Sequence, residues 1–196
     1  MPKLVDHVSY RKQLLAQCFD LFAERGYSSL TTRQIAESLN VSTGTLYHYF
    51  PTKEALFQQL VEEITQHTVI EALSQSHEHA SLEERLLDFF RFLAEHEEDL
   101  QKQILITLDY YQHRDLYGSN AHAILQSRAD RYEQAIQKFV GLPDSNLCSP
   151  LFYQIHGLLT MRMLRSITIP LVEQARPFID MFAQAVQNAS GETKER

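Results

Sequence analysis

From Ser42 to Tyr49 the chain sets Thr43, Thr45, Tyr47, His48 and Tyr49 around a single glycine, Gly44, with no carboxylate among them. Hydroxyls and an imidazole at this density suit hydrogen bonding to phosphate oxygens and base edges rather than bond-breaking chemistry. The residue patterns of covalent or phosphoryl chemistry are missing: GxxxxGK[ST], GxSxG and HExxH do not occur, so no catalytic residue, cofactor or enzymatic activity is expected. The nine histidines are scattered. His77 and His79 flank Glu78, and His96 follows Glu95, but neighbours two apart on a helix do not face one another, so no metal site is expected.

The elements that must position this run can be read on either side of it. Thr31 is a helix cap and Gln34 stands three residues on, the spacing of a capping box. Ile35 and Leu39 share one helix face, and Ala36 beside them lets another helix approach. Asn40 stands where a left-handed residue ends the helix, Val41 plugs the corner, and Ser42 caps a second helix from Thr43 to about Phe50. Leu46 and Phe50 point inward, and Pro51 stops the helix. Two short amphipathic helices joined by a tight corner, the second with a polar outer face, form the pattern of a helix-turn-helix reader of double-stranded DNA. The alternative for Tyr47 and Tyr49 is that they complete the core and leave only their hydroxyls at the surface.

The run Leu14 to Phe57 resembles the DNA-binding domain of the TetR family of bacterial transcriptional regulators. Phe22, Ala23, Glu24, Arg25, Gly26 and Tyr27 close an opening helix, and LTTRQIAESLNVSTGTLYHYFPTKEALF follows at the family's spacing. Asn40 replaces the common glycine, and Pro51 stands where many members carry a polar or basic residue. The resemblance implies that Arg33, Thr43, Gly44, Thr45, Tyr47 and His48, with Ser42 at the helix entry, contact base edges or phosphates. Tyr49 and Lys53 match positions that hold the DNA backbone. His48 and Thr43 are the candidates for base readout.

Charge sets the terms of such binding. The chain carries a formal −7. Within residues 1–55, Lys3, Arg11, Lys12, Arg25, Arg33 and Lys53 outnumber Asp6, Asp20, Glu24, Glu37 and Glu54 by one, so the acidic excess lies in the remainder and must face away from a polyanion. If Arg33 and Lys53 are the main cationic contacts, a dimer neutralises about four phosphates and log affinity falls with log salt at a slope of about −3.6.

At 196 residues and 44% hydrophobic content the chain is an ordinary globular protein. No apolar stretch is long enough to span a bilayer, and Met1 to Tyr10 lacks the apolar core of a signal peptide, so a cytoplasmic location is expected. Cys18 reads as a core residue and Cys148 as a loop residue before Pro150, with no disulfide expected.

Past Lys53 every segment is helical in pattern. Helices are expected from Thr52 to between Ser74 and His79, after a Ser81 cap, from Glu98 to Tyr111, from Ser119 to Val140 with a stop at Pro143, from Pro150 to Ser166, and from Leu171 to Asn188. The fold class is all-α, about nine helices: a three-helix helix-turn-helix domain over 1–52, a larger ligand-binding and dimerisation domain over 53–190, and a polar tail over 191–196. The last two helices are apolar over a wide arc, which predicts a homodimer through Leu151, Phe152, Ile155, Leu158, Leu159, Met163, Phe178 and Phe182. Paired heads about 34 Å apart match successive major grooves, hence a palindromic operator. The resemblance implies a small-molecule effector pocket, for which Phe89, Phe92, Tyr110, Tyr111, His122, Tyr132, His156 and Arg162 offer an aromatic wall with a polar end. The expected function is a ligand-released repressor. The alternative is an all-α ligand- or protein-binding module that keeps the head without acting through specific DNA binding.

Overall fold

The computed structural model of the chain describes residues 6–75, 81–113, 121–142 and 144–192. Among them the fold is all-α: α1 (His7–Arg25), α2 (Thr32–Ser38), α3 (Thr43–Tyr49), α4 (Lys53–Ser74), α5 (Leu82–Glu95), α6 (Glu97–Gln112), α7 (Ala121–Val140), α8 (Cys148–Arg165) and α9 (Leu171–Glu192). Lys3, the His77–Glu78–His79 cluster, the Ser119 helix start, Pro143 and the last four residues of the expected tail lie outside the described residues.

The helices gather into two compact units, one drawn from 1–68 and 102–130, the other from 69–101 and 131–196. In the first, α1 starts where the Asp6 carboxylate accepts the Val8 amide at 3.1 Å. It buries Leu14, Leu15, Cys18 and Phe22, residues that recur on one helical face. Gly26 then turns the chain at φ +77, a left-handed conformation that glycine adopts without strain. The turn delivers Tyr27 into the middle of the unit. Its ring lies 5.3 Å from Phe22, 4.7 Å from Phe57 and 5.7 Å from Tyr110, while Phe57 and Tyr110 stack at 3.8 Å. Asp109 of α6 secures the same turn, accepting the Ser28 amide at 2.8 Å and the Ser28 hydroxyl at 2.7 Å. Burial pushes the Cys18 thiol up to about 12, so it acts as a packing group and not a nucleophile.

In the second unit α5 packs along α9. Ser81 and Glu84 form a reciprocal capping box at the start of α5, and Phe90 meets Phe178 edge-on at 6.4 Å. Arg162 of α8 is buried and spends its guanidinium on four acceptors: both Glu97 oxygens at 2.7 and 3.0 Å, the Ile169 carbonyl and the Gln174 side chain, each at 2.7 Å. This fork holds the start of α6 and the α8–α9 connection to one side chain.

Two local expectations need correction. Cys148 is the first residue of α8 and buried, not a loop residue: Pro150 falls in the first turn, where its missing N–H costs no helical bond. Burial together with Glu133 and Asp144 raises its thiol pKa, which disfavours the thiolate. α9 runs through Gly191 to Glu192, four residues beyond the expected stop at Asn188.

Candidate nucleic-acid interface

The corner between α2 and α3 is built by short-range bonds. Thr31 Oγ1 accepts the Gln34 amide at 3.3 Å while Gln34 Oε1 accepts the Thr31 amide at 2.9 Å. Asn40 takes a left-handed φ of +54, and the Val41 amide returns to the Ala36 carbonyl at 3.0 Å. Ser42 Oγ accepts the Thr45 amide at 2.9 Å and lies 2.8 Å from Thr45 Oγ1. Leu46 and Phe50 each retain 1% exposure, which fixes the rotation of α3 and turns its other faces outward.

What faces outward is polar and small. Thr43, Gly44, Tyr47 and His48 are exposed, Tyr47 by half. A Cβ added at Gly44 would meet only Ser42 Oγ, at an ordinary 3.6 Å, so nothing inside the chain requires glycine there. Thr45 is half-buried and spends its hydroxyl on Ser42. Tyr49 is the tyrosine shared with the core: half-buried, its ring 5.5 Å from Tyr10 and its hydroxyl 2.8 Å from His7 Nδ1.

The two cations assigned to this surface already have partners. Arg33 Nε donates to Glu37 Oε1 at 2.9 Å in an exposed i,i+4 pair, which costs little to open. Lys53 lies half-buried with its ammonium 4.1 Å over the Tyr27 ring; burial lowers its pKa, against the nearby charges of Glu54 and Asp109. Arg11 and Lys12 of α1 turn to α4, donating to Gln59 at 2.8 Å and Glu63 at 2.6 Å.

Between α1 and α3 lies an open concavity of about 620 Å³, lined by His7, Tyr10, Gly44, Thr45, His48 and Tyr49. Sequence reasoning missed His7 and Tyr10. They are three apart at the start of α1, a weak sign of a shared face, and nothing local links them to α3, 42 residues away at the His7–Tyr49 contact.

The expected pocket residues divide between the two units. Tyr110, Tyr111 and His122 belong to the first unit and the other five to the second. Tyr110 is buried in the aromatic core with Phe57, and Tyr111 and His122 are exposed. Phe89 and Phe92 are buried against Phe139 at 5.0 and 6.4 Å. Tyr132 and His156 both face Phe152, at 6.5 and 4.1 Å, and the Arg162 guanidinium makes four hydrogen bonds as a structural tie. Of the expected dimer residues, Leu151, Ile155, Leu159 and Phe182 are buried in the single chain. Phe152, Leu158, Met163 and Phe178 are half-buried. The outward apolar stripe on α8 consists instead of Tyr153, Gly157, Met161 and Leu164, with Met181 exposed on α9. Among the described residues no three His, Cys, Asp or Glu side chains converge on a metal position, and no helix is long and apolar enough to cross a membrane.

Residues 14–60 match the sequence model of the family described as bacterial regulatory proteins, tetR family. The chain is 38% identical over 68 residues to the HTH-type transcriptional repressor Rv1474c of Mycobacterium tuberculosis, a stretch covering 34% of this chain and 36% of that protein. The likeness to curated relatives is thus confined to about a third of their length. Solved structures match over the whole fold: the regulator FadR of Bacillus subtilis in complex with stearoyl-CoA superposes with a TM-score of 0.63 at 19% identity, covering 88% of this chain and 97% of that one. A regulator from Saccharomonospora viridis in complex with choline does so with a TM-score of 0.64 at 19% identity, covering 91% and 97%.

Proposed function

We propose, from the premise that the chain belongs to the TetR family of bacterial regulatory proteins, that it is a sequence-specific DNA-binding transcriptional regulator: a dimeric repressor that occupies a palindromic operator in the cytoplasm and is released by a small molecule. One observation carries the reading. The outer face of α3 holds a set of hydrogen-bonding side chains that the core does not use, around a Gly44 that the core does not need. A backbone with no Cβ is what a close-lying phosphate requires, and Thr43, Tyr47 and His48 stand around it.

The dimer has a parallel support. Gly157, in the interior of α8, has no atom within 4 Å of its missing Cβ, although glycine at such a position costs about 1 kcal/mol relative to alanine. It lies among Tyr153, Met161 and Leu164, which are 65%, 41% and 68% exposed. A second copy seated on this stripe covers it and brings two heads to one face of the duplex.

The head lies within 1–52, with ligand binding and dimerisation in 53–190. The fold holds stearoyl-CoA in one relative and choline in another, so ligand chemistry varies on it, and release requires only that the ligand prefer the form that does not fit DNA. A tenfold release needs about 1.4 kcal/mol of differential affinity.

The test is a gel shift on the DNA upstream of the protein's own gene. Tyr47→Ala and Lys53→Ala should each abolish a selective shift while sedimentation still reports a dimer; an unchanged shift in both variants contradicts the reading. The second reading, a binding module that keeps the head without specific DNA recognition, is favoured by the prior engagement of Arg33 with Glu37 and Lys53 with Tyr27. It requires that no selective shift appear even at low salt.

A further inference from the structure

A DNA-binding head needs positive charge at the phosphates, and this one holds little of it ready. Arg11, Lys12, Arg33 and Lys53 are each bonded to or packed against another group, Arg25 stands at the far end of α1 from His7, and the formal excess over residues 1–55 is a single charge. The concavity beside Gly44 is lined instead by two imidazoles, with His7 and His48 ring centroids 6.1 Å apart, and by the Tyr49 hydroxyl, 2.8 Å from His7 Nδ1. Both histidines are exposed, and the open hollow between them takes Gly44 and His48 of the exposed face of α3 into its lining.

We propose that this hollow seats a DNA phosphate, that His7 of α1 is a phosphate-contacting residue together with His48 and Tyr49, and that operator binding is therefore coupled to uptake of protons by these histidines. The inference rests on the DNA-binding reading and adds to it a residue and a proton.

Imidazole is the side chain that changes charge near neutrality, and an adjacent phosphodiester favours its charged form. Two imidazolium rings at 6.1 Å repel each other across an empty hollow; an anion between them removes that opposition. The hydrogen bond to Tyr49 holds one His7 nitrogen and leaves the other ring nitrogen to donate outward, so the imidazolium can serve hydroxyl and phosphate together. Among the described residues the groups facing His7 are Tyr10 from α1 and His48 and Tyr49 from α3, while the Asp6 carboxylate is turned to the Val8 amide.

The sign follows from linkage. A form that binds more protons is favoured as pH falls, so affinity rises from pH 8 towards pH 6, by up to about a hundredfold per pH unit if a dimer takes up two protons on binding. Full-length protein is titrated by fluorescence anisotropy against an operator obtained by selection from random duplexes, from pH 6 to 8 at constant salt. Calorimetry in buffers of different ionisation enthalpy counts the protons. The expected result is binding roughly a hundredfold tighter at pH 6.5 than at pH 8, with uptake of one to two protons per dimer averaged over that range. His7→Gln should reduce the uptake and His7→Gln/His48→Gln remove it, whereas His7→Lys, charged throughout, should bind at pH 8 about as wild type does at pH 6.5. Selective binding that is flat across the range, or pH dependence that survives in the double variant, overturns the proposal and leaves the DNA reading standing. Absence of selective binding at every pH by a folded dimer removes both.

Discussion

The outer faces of α3 and α8 are both exposed, and both contain a glycine whose Cβ would have room, yet they are opposites in chemistry. Around Gly44 stand Thr43, Tyr47 and His48; around Gly157 stand Tyr153, Met161 and Leu164. A polar face keeps its hydration until it meets a partner that replaces each hydrogen bond, which a phosphate backbone and base edges do. An apolar face gains by leaving water for another apolar face, which a second copy of the same helix supplies at no further cost in sequence. Exposure alone marks a surface as open, and the residue types on it select the partner.

The sharpest way to break this comparison is to give the second face the character of the first. Leu164→Asp with Met181→Asp places carboxylates on the outward stripe and should convert the dimer to monomers in sedimentation. Losing the tethered second head should then weaken operator binding by about a hundredfold. Next in size is Gly44→Ala. Its new methyl meets only Ser42 Oγ, and replacing a helical glycine stabilises the chain by about 0.5–1 kcal/mol, so the melting temperature should hold or rise while DNA affinity falls by about tenfold. Gly157→Ala repeats the experiment on the other face: each protomer should melt no earlier, and the dimer dissociation constant should increase by roughly fivefold, about 1 kcal/mol of lost close packing. Smallest is Glu37→Gln, which frees Arg33 from an exposed pair; stability should move by less than about 0.5 kcal/mol and operator affinity should rise by about threefold, with the gain lost at high salt.

The parts of the fold that were legible in sequence are those made by neighbours along the chain. The Thr31–Gln34 box, the left-handed Asn40 and the Ser42 cap each depend on residues within three or four positions, and each is found where the residue types place it. The inward Leu46 and Phe50 follow from the same helical period. Long-range partners carry no such sign. The Ser28–Asp109 tie joins residues 81 apart, and Arg162, which looked like the polar end of a pocket, spends its donors on Glu97, Ile169 and Gln174. His7 carries no local sign of its place, because nothing in the residues around it indicates that the start of α1 lies beside α3. On α8 the apolar arc is visible, but periodicity does not tell the side that meets the chain's own core, Leu151, Ile155 and Leu159, from the side left exposed, Tyr153, Met161 and Leu164.

The central claim, that the outer face of α3 reads duplex DNA from a pair of heads, is tested most directly by selecting bound sequences from a pool of random duplexes with the full-length protein and with Tyr47→Ala. Wild type should enrich a near-palindrome whose half-sites lie about one helical turn or a whole multiple of it apart, and the variant should enrich none. A folded dimer that enriches no sequence at low salt, or a Tyr47→Ala protein that enriches the same palindrome as wild type, would contradict it.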